Sequence, residues 1–102
     1  MEGAPDIYAH RGKFFEVLAQ TERTLTAVMT VAPGETAGPE EEHAGDQILF
    51  IAEGRACVRL GDETLELDGG ALVTIPAGTR HHVTSVGREP LFLVTIYAPP
   101  AY

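Results

Sequence analysis

Apolar and polar residues alternate along most of this chain, in short runs broken by glycine, proline and acidic residues. Leu25 to Ala32 (LTAVMTVA) alternates, is rich in β-type residues and is closed by Pro33-Gly34. Comparable runs are Gln47 to Ala52, Ala56 to Leu60, Thr64 to Leu67, Ala71 to Ile75, His82 to Val86 and Leu91 to Tyr97. Turn-forming residues separate them: Glu53-Gly54, Gly61-Asp62-Glu63, Asp68-Gly69-Gly70, Pro76-Ala77-Gly78 and Gly87-Arg88-Glu89-Pro90. Short strands at this regular spacing predict an all-β sandwich or barrel. Lys13 to Ala19 (KFFEVLA) reads equally as one helical turn or a short strand, its apolar run being too short to decide. No strong amphipathic helix, repeat or linker divides the chain. The expected organisation is one domain, with an N-terminal arm or strand over residues 1–24 and a β-barrel over 25–102.

Composition narrows the partners. The 102 residues carry a formal charge of −8, which argues against electrostatic binding to nucleic acid or an anionic membrane. One cysteine, Cys57, leaves no internal disulfide, as expected for a reducing cytoplasm. No apolar run of about 18 residues is present, so no transmembrane helix is expected. The start, MEGAPDIYAHRGK, lacks a basic stretch followed by an apolar core and does not read as a signal peptide. A cytoplasmic location is the expectation, and without a DNA-binding segment a one-chain transcription factor is not expected.

Chemistry-bearing residues concentrate in two places. In the stretch 36–54 (TAGPEEEHAGDQILFIAEG), Glu41 and His43 are two apart, so on an extended backbone they leave the same face. Glu40 and Glu42 then point the other way. Gln47 follows four residues after His43, which on a straight chain is about 13 Å, too far for one small ion. Gly45 and Asp46 are turn formers, and a bend there would bring the two ends together. The second place is GALVTIPAGTRH, where Pro76 and Gly78 make a tight turn and His81 opens the next strand.

This second stretch resembles the second motif of the cupin superfamily: glycine, five residues, proline, any residue, glycine, two residues, histidine. Gly38 to Gly54 resembles the first cupin motif, with Glu41 in place of its first histidine and Gln47 in place of its glutamate. The fifteen residues Arg55 to Gly69 are similar to the short inter-motif hairpin of the smallest cupins. The asparagine that often follows the second motif falls on Ser85. The resemblance spans about residues 25 to 100 and implies a double-stranded β-helix, or jelly-roll barrel. It also implies a metal site of Glu41, His43, Gln47 and His81, holding one divalent ion per chain. Two imidazoles, a carboxylate and an amide suit Mn, Fe, Co, Ni or Zn without choosing among them.

If Gln47 faces the ion, Leu49 and Ile51 share its face and line the barrel interior and its pocket, with Phe50 outside or at the dimer seam; Tyr97 reads as core or pocket lining. Thiol dioxygenases of the cupin type carry a cysteine–tyrosine crosslink, but Gly54 stands intact here, and Cys57 alternates with Arg55 and Arg59 on what reads as an outer face. The first functional reading is a metal-dependent enzyme acting on a small oxygenated substrate, as an oxygenase or isomerase, with nearby Arg55 or Arg80 to steer an anionic one. The alternative is a non-catalytic module that binds a sugar or other small molecule. Open sheet edges and the apolar cluster Phe14, Phe15, Val17 and Leu18 lead to the expectation of a homodimer, with residues 7–19 packed on the partner's sheet.

Overall fold

Eight strands form two facing antiparallel sheets in the computed structural model, which describes residues 4–102. After a single 3-10 turn, Ile7–His10, come β1 (Glu16–Gln20), β2 (Leu25–Val31), β3 (Asp46–Glu53), β4 (Arg55–Leu60), β5 (Glu63–Asp68), β6 (Leu72–Ile75), β7 (His81–Ser85) and β8 (Leu91–Ala98). The first sheet runs β1-β2-β8-β3-β6 and the second β5-β4-β7. This is the jelly-roll arrangement expected, and strand limits fall within a residue or two of the sequence pattern. KFFEVLA enters a strand at Glu16: β1 pairs with β2, Glu16 opposite Val28.

Alternation decides what is inside. On β3, Gln47, Leu49 and Ile51 are buried, while Ile48 and Phe50 between them are only half-covered. The inward faces of both sheets meet in one apolar core that includes Val31, Leu49, Ile51, Val58, Ile75 and Leu93. Each such side chain contributes about 1.5–3 kcal/mol on leaving water. β8, flanked by β2 and β3, is buried along most of its length. Its Phe92 is covered by the N-terminal segment, with the Tyr8 ring centred 6.0 Å away and the Arg11 guanidinium 5.8 Å from its ring. Arg11 is tied to Glu53 through two nitrogen–oxygen contacts of 2.6 Å. The arm therefore lies on its own chain's sheet.

The second sheet is extended by the segment between β2 and β3, which runs antiparallel along β7. Gly34 N–H donates to Ser85 O at 2.8 Å, and Ala37 N–H to Val83 O at 2.9 Å. Glu41 and His81 then exchange both backbone hydrogen bonds, at 3.0 and 2.8 Å.

Candidate metal centre

That last pairing builds the site. Directly opposed residues of an antiparallel pair project from the same face, so Glu41 and His81 are brought side by side. His43 follows two residues on, and Gly78 N–H donates to its carbonyl at 2.8 Å, fixing it to the Pro76–Gly78 turn. Gly78 has φ +77°, a conformation that glycine adopts without steric cost. The second motif thus shapes the first: its turn holds His43 and its strand holds Glu41.

The side chains converge accordingly. One potential ligand atom from each of Glu41, His43 and His81 lies within 4.8 Å of the other two. The imidazole rings are centred 5.2 Å apart. His81 Nδ1 contacts Thr79 O at 3.0 Å; a proton there leaves Nε2 as a free lone pair. His43 Nε2 is buried without a hydrogen-bond partner, 3.7 Å from Glu41 Oε1. Desolvation lowers the His43 pKa, with help from His81 and against the pull of Glu41. The ring is thereby held neutral, the form that ligates a metal.

Gln47 reaches the same cavity by way of the bend. Gly45 approaches β8 so closely that a Cβ there would sit 2.5 Å from Pro99 Cδ and 2.6 Å from Ala98 O. Past it, Gln47 pairs with Tyr97 across the β3–β8 ladder. Its Nε2 donates to Thr95 Oγ1 at 3.0 Å, and its Oε1 is buried without a partner. Two orphaned buried acceptors, one carboxylate and a second imidazole form a mixed nitrogen–oxygen set that fits a divalent first-row ion.

Of these groups, Glu41, Gln47 and His81 border a cavity of about 420 Å³, with Leu49 and Tyr97 and with Phe14, Phe15 and Met29; His43 does not border it. Ile51 is a correction: it shares the face of Gln47 but lies deeper, fully buried in the packed core and absent from the cavity wall. Arg55 pairs with Glu66 and Arg80 approaches Glu40, and neither borders the cavity. Cys57 shares the outward face of β4 with Arg55 and Arg59, away from Tyr97.

Sequence reasoning missed Tyr102 and gave Phe14 and Phe15 a different role. The Tyr102 hydroxyl donates to Glu41 Oε1 at 3.0 Å, and its ring lies 5.2 Å from Tyr97, 5.6 Å from Phe15 and 5.9 Å from His43. Burial raises the pKa of Tyr97 and Tyr102, further raised at Tyr102 by Tyr97 and Glu41, so both phenols stay protonated at neutral pH. No local signal marks Tyr102; it lies beyond the last strand and meets the site only in three dimensions.

Fold and site together define a small double-stranded β-helix protein with a candidate Glu-His-His metal cluster at one end of its barrel. The family model for the cupin domain matches residues 27–97, and the chain belongs to the cupin superfamily. The solved structure of BH2720 from Bacillus halodurans superposes with a TM-score of 0.92 at 31% identity, covering 100% of this chain and 84% of that one. YrkC of Bacillus subtilis is 38% identical over 96 residues, 87% of this chain but 46% of YrkC. Acireductone dioxygenase 2 of Nocardia farcinica is 41% identical over 58 residues, 53% of this chain and 30% of the dioxygenase. The chain thus spans about half of one curated relative and under a third of the other.

Proposed function

We propose that the protein is a single-metal cupin enzyme of the dioxygenase type, acting on a small oxygenated molecule. The observation that carries this is the convergence of Glu41, His43 and His81, the first and last of which border a cavity. The partial likeness to acireductone dioxygenases favours oxygenase over isomerase chemistry. A divalent ion held by Glu41, His43 and His81, with the Gln47 amide oxygen as a fourth ligand, supplies Lewis acidity and, where redox-active, electron transfer.

The protein's own residues do the rest. Glu41 offsets part of the ion's charge. The apolar walls at Leu49, Val83 and Leu93 exclude water from a bound molecule. Tyr97, held protonated on the cavity wall, is available as a donor to its oxygen atoms, while the Tyr102 proton is committed to Glu41. We further propose a homodimer, supported by the open edge of β1 beside the exposed Phe14 and Val17.

Metal content of purified protein, measured for the native chain and two variants, tests the site. His81→Ala is expected to lose stoichiometric metal. Gln47→Glu, by adding a charged ligand, is expected to bind more tightly. Retention of the ion by His81→Ala overturns the assignment, and weaker binding by Gln47→Glu removes Gln47 from the ligand set. Oxygen uptake by the metal-loaded protein with candidate substrates then tests the reaction class.

A further inference from the structure

The charges around the cavity are unevenly placed. The chain has seven lysines and arginines, and none of them borders it. Four are engaged elsewhere: Arg11 with Glu53, Arg55 with Glu66 and Asp68, and Arg59 and Arg80 with Glu40. The wall carries one formal charge, Glu41, at the end where Gln47, His81, Tyr97 and Tyr102 also gather. The rest is largely apolar, formed by Phe14, Phe15, Met29, Leu49, Val83 and Leu93, with His82 as the one further titratable side chain. At about 420 Å³ the cavity is of the size that takes a small organic ligand.

We propose that this cavity selects a molecule with an uncharged, apolar body and its oxygen atoms clustered at one end, and that it rejects molecules whose body carries a carboxylate or phosphate. The orientation rests on the metal reading above, since the oxygen-bearing end is the one turned to Glu41, His43 and His81. The body selectivity rests on the wall alone. An anionic group lodged among Leu49, Val83 and Leu93 loses its hydration and finds no cation there to replace it. A chain of formal charge −8 adds repulsion at longer range. An apolar body gains from the same wall by leaving water.

Two probes that share a phenolic oxygen and differ in the opposite end separate these terms: 4-tert-butylphenol and 4-hydroxybenzoate. Each is titrated into metal-free and zinc-loaded protein, with zinc occupancy measured separately and binding read from amide NMR shifts at Leu49, Val83 and Leu93. At least tenfold tighter binding of 4-tert-butylphenol is expected in the metal-free form, a difference of about 1.4 kcal/mol, whereas in the zinc-loaded form the carboxylate of 4-hydroxybenzoate is free to turn to the ion and the preference shrinks. Equal or tighter binding of 4-hydroxybenzoate by metal-free protein, or no shift with either probe, overturns the proposal. If the preference holds in metal-free protein but zinc is not retained, the selectivity stands and the metal reading fails. Phe14→Lys supplies the second test, because Phe14 is 53% exposed and a lysine is tolerated there. Placing a cation at the mouth is expected to shrink the preference severalfold, and an unchanged ratio overturns the charge argument.

Discussion

Glu41 shows how much of the site depends on single contacts. It sits in a run of three glutamates; Glu40 and Glu42 are exposed, and only Glu41 turns toward the histidines. Its backbone is fixed by the bridge to His81, whereas its carboxylate is held by the Tyr102 hydroxyl. Without that bond the side chain regains rotamers that must be frozen when an ion binds, at about 0.5–1.5 kcal/mol per side chain. Tyr102→Phe is therefore expected to weaken zinc binding by about 2- to 10-fold. The melting temperature of the metal-free protein should change little. Unaltered affinity in a zinc titration would show that Tyr102 packs on the site without positioning Glu41. His43, Gln47 and His81 could be named as candidates because each stands in a stretch that resembles a cupin motif, at a position where the motif has a ligand. Tyr102 was not, because a tyrosine beyond the last strand carries no periodicity that says where it lands.

Among the elements, the joints matter more than the strands. The alternation of β3 could be read directly, since a one-residue slip would have turned Gln47, Leu49 and Ile51 outward together. How far along the strand the cavity extends could not be read, and Ile51 was misplaced for that reason. Position along the barrel depends on which side chains of the opposite sheet fill the space. The entry to β3 shows the same dependence. Gly45 looked like an ordinary bend residue, but its role is set by Ala98 and Pro99, about fifty residues away in sequence. Gly45→Ala forces this backbone contact apart and is expected to lower stability by about 1–3 kcal/mol. Urea unfolding should show a lower midpoint with an unchanged slope. An unaltered midpoint would mean that the β8 end moves freely aside.

For the whole molecule, two properties follow from how the chain is closed. The first is assembly: β1 leaves one edge of the five-stranded sheet unpaired, beside the exposed Phe14 and Val17. Light scattering at micromolar concentration is expected to give twice the monomer mass, and Val17→Lys to shift it toward one. A monomeric native chain would end the dimer proposal. The second concerns the bridge between Glu41 and His81. These residues are forty apart in sequence, and an ion held by both joins the chain to itself around that loop. Cross-links of this span restrict the unfolded chain and stabilise by about 3–5 kcal/mol on the loop-entropy account. A chelator is therefore expected to lower the melting temperature of metal-loaded protein by more than about 5 °C. An unshifted melt with loss of metal would place the ion off this bridge. With Cys57 as its one cysteine, the chain cannot form a disulfide with itself; on the proposed metal reading the paired motifs would give it instead a reversible clasp, set by metal supply.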